Sequence, residues 1–382
     1  MSFRRIITTT LERAGITIDG DRPWDVQVLR RRFFRRAARG NLGLGEAYVD
    51  NDWDVESLDA MFRRVIAAGL GHSYIARLNR MLLQARARLS NLQSRRRSSA
   101  VIENHYDLDH RLYEQFLGPW NQYTCCFFVD TDELEEAEVN KLDLICEKLE
   151  IKAGDRVLDI GCGWGGFARY AATTRGCHVT GVSLSGEQVE YAREFTSGLP
   201  VEIIQSDYRD LPNVLHEQYD KILICGMIEH VGYKNYRSIA DVVHELLKDE
   251  GLFLLHTIGN SENTTVTDPW IERYIFRNSM IPSMLQLVQS FTGKFVVHDW
   301  ENYGHYYSKT LSAWHENFER NWGRIKALKT AHRFDEKFRR MWNYYLLTSK
   351  AAFDVEDLQL WQIVMSKMGM RDSVYSRVTM HG

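Results

Sequence analysis

A short apolar stretch followed by closely spaced glycines constrains the fold of this chain more than any other feature. Residues 157–160 have the pattern of a buried strand, and one of them is a carboxylate, Asp159. Four glycines follow within residues 161–166, and a helical pattern begins at Phe167. Glycine lets a backbone turn tightly and approach a ligand closely, and a helix N-terminus favours polar or anionic groups. This order predicts the first unit of a nucleotide-binding α/β fold.

Strand and helix patterns alternate regularly around this turn and beyond it. Strand patterns cover residues 157–160, 179–184, 201–205, 219–225 and 251–257. Helical patterns separate them, one beginning at Ser185 and another covering residues 236–247. Because strands that alternate with helices pair in parallel, we expect a doubly wound sheet with ligands at the carboxyl ends of its strands. The alternation breaks after Gly259, and a lid-like insertion is predicted over about residues 260–310.

Polar side chains of chemical interest fall at the predicted ends of these strands. Ser206 and Asp207 follow the third strand, Glu229 and His230 follow the fourth, and His256 ends the fifth. Each has an ordinary structural explanation when taken alone, since aspartates often cap turns and a histidine at a strand end is usually a satisfied structural residue. The topological rule brings all of them to one crevice, and that combination favours a functional site.

Charge is distributed unevenly along the 382 residues. Residues 1–100 contain 19 arginines, no lysine and 10 acidic residues, a net charge of +9, whereas residues 101–382 carry a net charge of −12. A chain of this length favours two regions, and we predict a helical, arginine-rich domain over residues 1–100 and a second domain over residues 101–382. A basic amphipathic region can dock on an anionic membrane, although a solvated helical face is the commoner explanation of any single segment.

The N-terminal region has the patterns of several helices and turns. Apolar residues recur at helical spacing over residues 58–70 and 75–92, and NLGLGE at residues 41–46 is predicted to form a glycine-rich turn. No nucleic-acid-binding signature, secretory signal or apolar run of about 18 residues is present, so we expect neither a nucleic-acid partner nor a membrane span. The six cysteines form no CxxC pair, which favours a reducing cytosol and neither disulfides nor a metal site.

Six motifs carry a resemblance to known families. VLDIGCG at residues 157–163 resembles motif I of S-adenosylmethionine-dependent methyltransferases, and the next strand lacks the acidic end that is typical of a dinucleotide site. The six motifs in order resemble cyclopropane-fatty-acyl-phospholipid synthases and, more distantly, mycolic acid cyclopropane synthases. They are NQYTC at 121–125, DIGCGWGG at 159–166, QSDYRDL at 205–211, GMIEHVG at 226–232, LLHTIG at 254–259 and DPWI at 268–271. The resemblance runs from about Leu42 to about Trp361.

The resemblance implies a Rossmann-like methyltransferase domain over residues 101–382 and a defined reaction. S-adenosylmethionine would donate a methyl group to the cis double bond of an unsaturated phospholipid acyl chain, and loss of a proton from the resulting cation would close a cyclopropane. The resemblance further implies a bound bicarbonate ion as the base. Its holders would be Glu229, His256 and Tyr307, with main-chain groups of Cys125 and Ile258. Aromatic faces suit a cationic intermediate, and the candidates are Tyr106, Tyr123, Phe127, Tyr274, Tyr306 and Tyr307.

Motif matching also implies the residues that bind the cofactor. They are Tyr123, Thr124, Val157, Asp159, Gly161, Cys162, Gly163, Trp164, Gly165, Ser183, Leu184, Ser185, Gln188, Ser206, Asp207 and Tyr208. Ser183 and Gln188 would replace the usual acidic residue at the ribose, and Asp207 would lie near the adenine. Two positions depart from the family pattern: Cys126 doubles the cysteine, and Ser349 stands where many relatives carry a cysteine, which argues against an obligatory nucleophile.

A bilayer substrate gives the N-terminal arginines a plausible role. Anionic headgroups would attract the arginines of residues 30–39 and 86–97, and we expect a cytoplasmic protein associated peripherally with the inner face of the membrane. A homodimer is left open. Two alternative functions also stay open: a methyltransferase of this fold that gives methyl-branched lipid or acts on an amine, and a catalytically inactive lipid-binding protein.

Overall fold

The structure, a computed structural model, describes residues 2–70, 109–330, 332–369 and 375–378. The helix predicted over residues 75–92, the arginines of residues 86–97 and Tyr106 lie outside these residues. The described strands are β1 Gln27–Val28, β2 Trp53–Asp54, β3 Arg156–Ile160, β4 His178–Ser183, β5 Val201–Gln205, β6 Tyr219–Cys225, β7 Leu247–Gly259, β8 Phe295–Asn302 and β9 Gln359–Lys367. The described α-helices are α1 Phe3–Arg13, α2 Phe33–Ala37, α3 Asn41–Val49, α4 Leu58–Ala67, α5 His110–Tyr113, α6 Leu134–Lys148, α7 Gly166–Arg175, α8 Gly186–Phe195, α9 Leu211–Val214, α10 Tyr236–Leu246, α11 Pro269–Tyr274, α12 Met284–Phe291, α13 Gly304–Arg320, α14 Trp322–Ala327 and α15 Glu336–Asp354.

One sheet of seven strands, in the order β5-β4-β3-β6-β7-β9-β8, forms the centre of the fold. Strands β3 to β7 pair in parallel, and β9 joins antiparallel between β7 and β8. Successive residues of β6 point to opposite faces: Ile222 and Ile224 pack with α10 and α12, whereas Leu223 packs with α6 and α7. Burial on both faces explains the continuous apolar runs of these strands. The doubly wound α/β sheet predicted from the sequence is confirmed.

The turn between β3 and α7 needs glycine for two different reasons. Gly161, Gly163 and Gly165 have φ angles of 90°, 53° and 83°, which side-chain-bearing residues rarely adopt. At Gly166 the reason is space, because a Cβ there would overlap the carbonyl oxygen of Trp120. The turn therefore carries the backbone away from the end of β3 while it stays in close contact with residues 118–124.

A smaller unit of α1 to α4 and the β1–β2 pair lies at the N-terminus. Its core is continuous with that of the C-terminal helices, since Phe33 and Trp53 belong to the same buried cluster as Trp314 of α13. Arg340 of α15 fixes the contact by donating from Nε to the Tyr48 carbonyl oxygen at 2.7 Å. Among the described residues, none of the helices is long and apolar enough to cross a membrane.

Residues 41–46 begin α3, so the glycine-rich turn predicted there is wrong. A Cβ at Gly43 would overlap the carbonyl oxygen of Arg36, and a Cβ at Gly45 would overlap the rings of Trp270 and Tyr344. The two glycines let a helix pack at very short range against α2 on one side and against α11 and α15 on the other. This requirement is tertiary, and the local sequence does not distinguish it from a turn.

We expect Gly45→Ala to lower the free energy of unfolding by about 1–3 kcal/mol, because the added methyl group overpacks a buried aromatic contact. Urea denaturation followed by circular dichroism measures the change. Gly323→Ala is the matched control: Gly323 lies exposed in α14 with nothing within 4 Å of its Cβ position. That substitution should be neutral or stabilise by up to about 1 kcal/mol. Equal effects of the two substitutions would contradict the packing explanation.

Candidate active site

Three neighbouring parallel strands present polar side chains at or just beyond their carboxyl ends. Asp159 precedes the end of β3, and Glu229 lies in the short turn Ile228–His230 that follows β6. His256 of β7 pairs with Cys225, the last residue of β6. The exposed fractions of Asp159, Glu229 and His256 are 2%, 7% and 1%. The fold thus gathers three ionisable side chains in a region from which water is almost excluded.

The Glu229 carboxylate has a partner on one oxygen only. Oε1 accepts a hydrogen bond from the Ile258 N–H at 2.8 Å, whereas Oε2 is buried without a partner among the described residues. The neighbouring Thr257 hydroxyl donates to the Ile258 carbonyl oxygen at 2.9 Å and also lowers the pKa of Glu229. Burial raises the pKa of Glu229 to about 6, and backbone donors, including the Ile258 N–H, oppose this rise. Ile258, a main-chain group of which was predicted to hold the anion, thus donates its N–H to Glu229.

The His256 imidazole likewise has one nitrogen without a partner. Nδ1 lies 3.3 Å from Nε2 of Gln362, and Nε2 is buried without a hydrogen-bond partner among the described residues. Burial lowers the pKa of His256 well below its usual value, and the charges of Lys141 and Lys148 lower it further. The imidazole is therefore neutral near pH 7. An amide nitrogen can only donate, so with Gln362 Nε2 facing Nδ1 the imidazole proton lies on Nε2.

Tyr307 and Cys125 lie in one buried cluster beside these groups. The Tyr307 ring stacks on Phe353 with a centroid distance of 4.4 Å, and burial, aided by neighbouring groups that include Glu229, raises the pKa of its hydroxyl. The adjacent Cys126 belongs to a different buried cluster. Of the two cysteines, Cys125 is the one that shares the cluster of Tyr307.

A cavity of about 230 Å³ opens where β3, β4 and β6 end. All of the sixteen residues predicted to bind the cofactor line this cavity except Val157 and Gly165. The Val157 side chain lies in the core between the sheet and α7, and Gly165 faces Ala192 of α8. Polar groups and bare glycine backbone on the walls suit an adenosine that carries an amino-acid group, so the residues fit S-adenosylmethionine.

Several side chains of the wall are held in place by one another. The Ser183 hydroxyl hydrogen-bonds to Gln188 Oε1 at 2.8 Å, and the Ser185 hydroxyl caps α8 by accepting from the Gln188 N–H at 3.3 Å. Asp207 forms an ion pair with Arg209 at 2.8 Å. Burial raises the pKa of Asp159 to about 7, although the charge of Lys141 opposes the rise. Asp159, which lies just before the glycine turn, is thus a poorly solvated carboxyl group with a weakened preference for the ionised form.

Sequence reasoning missed part of the wall. Gln122, Arg277 and Asn278 also line the cavity, as does His230, which the sequence placed at the strand ends but did not assign to the cofactor. Gln122 and His230 lie inside motifs that carried the family resemblance, so the motifs could have indicated them. Arg277 and Asn278 follow α11 in a segment without periodicity, and no sequence signal marks them.

The aromatic candidates separate into two groups. Tyr123 lines the cavity, and its hydroxyl lies 3.0 Å from that of Tyr345, which the sequence did not single out because α15 has the pattern of a core helix. Phe127 stacks on His256 with a centroid distance of 6.1 Å. Tyr274 instead donates its hydroxyl to Glu46 of α3 at 3.1 Å, so it belongs to the contact with the N-terminal unit.

Comparison with known proteins identifies relatives over nearly the whole chain. A family model described as Mycolic acid cyclopropane synthetase matches residues 93–363. The cyclopropane-fatty-acyl-phospholipid synthase of Escherichia coli (strain K12) is 46% identical over 96% of this chain and 94% of its own length. A probable fatty acid methyltransferase of Mycobacterium tuberculosis is 32% identical over 91% of this chain and 87% of its own length.

Among solved structures, the mycolic acid cyclopropane synthase CmaA1 complexed with SAH and CTAB is similar to this chain with a TM-score of 0.61 and 26% sequence identity. The match covers 70% of this chain and 97% of that protein.

We expect the pH dependence of stability to change when Glu229 is replaced by glutamine. A carboxyl whose pKa rises from 4.5 to about 6 on folding stabilises the folded state below pH 4.5, and this contribution is lost as the pH rises to about 6. Over this interval the free energy of unfolding of the wild type should therefore fall by about 2 kcal/mol relative to that of Glu229→Gln. Urea unfolding of both proteins at pH 4.5 and about pH 7 measures the difference, and parallel pH profiles would contradict it.

Proposed function

The chain belongs to the mycolic acid cyclopropane synthetase family, and we propose that it transfers a methylene group from S-adenosylmethionine to the cis double bond of an unsaturated phospholipid acyl chain, which becomes a cyclopropane chain. The chain is an S-adenosylmethionine-dependent methyltransferase. The observation that carries the proposal is the pair of buried atoms, Glu229 Oε2 and His256 Nε2, that have no hydrogen-bond partner among the described residues. Neither residue lines the cavity, but their neighbours His230 and Cys225 do.

When bound, S-adenosylmethionine supplies an electrophilic methyl group. Tyr123, Thr124 and the glycine turn would hold its amino-acid part, and Ser183 with Gln188 would hold the ribose, since all of these line the cavity. An alkene is a weak nucleophile, so accurate placement of the double bond against the methyl group must supply much of the acceleration. The tightly packed aromatic side chains around Tyr123 suit this task, and their ring faces suit a developing positive charge.

The two buried atoms without partners require different hydrogen bonds. An ionised Glu229 Oε2 can only accept, whereas a neutral His256 with its proton on Nε2 donates. A protonated oxyanion such as bicarbonate satisfies both, because it carries one hydroxyl group and further acceptor oxygens. Bicarbonate supplies a base when bound. We place it between Glu229 and His256, with Tyr307 and the main chain of Cys125 as further holders, and assign to Ile258 the task of orienting Glu229.

We expect the purified protein, given methyl-labelled S-adenosylmethionine and vesicles of monounsaturated phospholipid, to produce fatty acyl chains heavier by one methylene that resist catalytic hydrogenation. Mass spectrometry of the released fatty acids measures the product. A methyl-branched product would instead indicate a fatty acid methyltransferase. A 32% identical relative of this chain is named as a probable enzyme of that kind. Label in soluble amines and none in lipid would overturn the proposal.

The same assay tests the anion pocket through a matched variant. Glu229→Ala should reduce turnover at least about 100-fold, as expected for loss of a group that assists proton removal, while affinity for S-adenosylhomocysteine stays unchanged. Removal of bicarbonate from the buffer should slow the wild type and leave the residual activity of Glu229→Ala unaffected. Equal losses of turnover and cofactor affinity in the variant would assign Glu229 a structural role instead.

We also propose that the N-terminal unit docks the enzyme on the cytoplasmic face of the membrane as a peripheral protein. Its arginines differ in availability: Arg32 and Arg36 pair with the fully buried Asp52 at 2.7 and 2.9 Å. Arg31 and Arg35 are exposed, and neither forms an ion pair with any other described residue. Arg31, just before α2, and Arg35, within it, can therefore contact lipid headgroups without loss of an internal ion pair.

We expect the double substitution Arg31→Gln and Arg35→Gln to weaken binding to anionic phospholipid vesicles by about tenfold or more, since each surface arginine contributes roughly 1 kcal/mol. The remaining binding should depend less on salt. Co-sedimentation at several salt concentrations measures both effects. Arg324→Gln with Lys326→Gln, which removes the same charge from exposed positions of α14, is the control. Equal binding by both double variants would remove α2 from the docking surface.

A further inference from the structure

Residues 118–124 are enclosed between α6 and the glycine turn. At one end a Cβ at Gly118 would overlap the Glu138 carboxylate of α6, and at the other a Cβ at Gly166 would overlap the Trp120 carbonyl oxygen. The segment carries Tyr123 and Thr124 into the wall of the cofactor cavity. Its backbone position therefore decides where the cavity wall lies.

Glu138 bridges two backbone donors of this segment. Its carboxylate accepts from the Trp120 N–H at 3.1 Å through one oxygen and from the Gln122 N–H at 3.1 Å through the other. Between them Asn121 has a φ of 50°, a left-handed conformation that costs free energy in a residue other than glycine. The two hydrogen bonds fix the residues on both sides of Asn121 and so maintain the turn. Glu138 itself has no exposed surface.

Lys141, one turn further along α6, fixes the side chains of the same segment. Its ammonium group donates to Gln122 Oε1 and, at 3.0 Å, to Thr124 Oγ1. The Gln122 amide also donates to the Trp120 carbonyl oxygen at 3.1 Å, so both ends of this amide are used within the protein. Gln122 and Thr124 line the cavity, so Lys141 is hydrogen-bonded directly to two residues of the cavity wall.

The environment of Lys141 is unusual for a lysine that serves stability alone. It has no exposed surface, and among the described residues no carboxylate lies within ion-pair distance of it. A buried cation held by neutral oxygens is costly compared with an apolar side chain of the same size. Its charge also acts on the cavity wall, since it lowers the pKa of Asp159 and so opposes the rise that burial causes.

We propose that Lys141 and Glu138 are positioning residues that hold residues 118–124 in the geometry that cofactor binding requires. Lys141 acts through Gln122 and Thr124, and Glu138 acts through the backbone on either side of Asn121. The inference concerns the cofactor cavity and does not depend on the identity of the methyl acceptor, so it can be tested without lipid.

The test is the affinity of the full-length chain for S-adenosylhomocysteine, measured by calorimetry together with thermal unfolding. Lys141→Met should weaken binding about tenfold or more, because hydrogen bonds to a charged group are lost from the cavity wall. Lys148→Met is the matched control: Lys148 lies on the same helix, is equally buried, and pairs with Asp299 at 3.2 Å, away from the cavity. It should lower the unfolding temperature and leave the affinity within about twofold.

Two further variants keep the proposal testable. In the double variant of Lys141→Met and Thr124→Val the loss of affinity should be smaller than the product of the single losses, since Lys141 acts through Thr124. If Lys141→Met does not fold, the affinity of Gln122→Met for S-adenosylhomocysteine is measured in its place. This substitution should weaken binding about fivefold, because Lys141 loses one hydrogen-bond partner. Wild-type affinity in Lys141→Met or in Gln122→Met, an equal loss in Lys148→Met, or strictly multiplicative losses would overturn the proposal.

Discussion

The parallel register of β3, β6 and β7 is the constraint on which the site depends. Pairing of Asp159 with Leu223 and of Cys225 with His256 fixes how far each strand extends at the same edge of the sheet. A slip of one residue would turn every side chain of a strand to the opposite face. The glycine turn then clears the space beyond β3, and the short turn after β6 returns Glu229 over the end of β7, where the Ile258 N–H holds it.

Burial gives these groups their chemical character. Glu229 and His256 have almost no contact with water. Burial raises the pKa of the carboxyl and lowers that of the imidazole, and both shifts favour the neutral form. Each nevertheless keeps one atom without a hydrogen-bond partner among the described residues. An unpaired buried polar atom costs about 1–3 kcal/mol, and the proposed anion would offset this cost at both atoms.

The sequence was sufficient to predict the sheet and half of the residues that line the cavity, because both follow from local patterns. Strand ends in a parallel sheet converge, so Asp159, Glu229 and His256 could be placed together without coordinates. The positions that were missed depend on contacts between distant segments. Glu138 and Lys141 look like ordinary charged residues of an amphipathic helix, yet both are fully buried and bind residues 120–124. The glycines of α3 were read as a turn for the same reason, since their neighbours come from α11 and α15.

The excess of N-terminal arginines illustrates how net charge differs from available charge. Asp52, which is fully buried, accepts from both Arg32 and Arg36. Glu46 lies 3.2 Å from Arg39 and 3.6 Å from Arg273 of α11, and it also accepts from the hydroxyl of Tyr274. Because α11 leads directly to residues 277 and 278 of the cavity wall, the same carboxylate that neutralises an N-terminal arginine also anchors a helix next to the cofactor cavity. Arg32, Arg36 and Arg39 therefore pair with carboxylates of the N-terminal unit itself. The proposed membrane contact rests instead on the exposed Arg31 and Arg35.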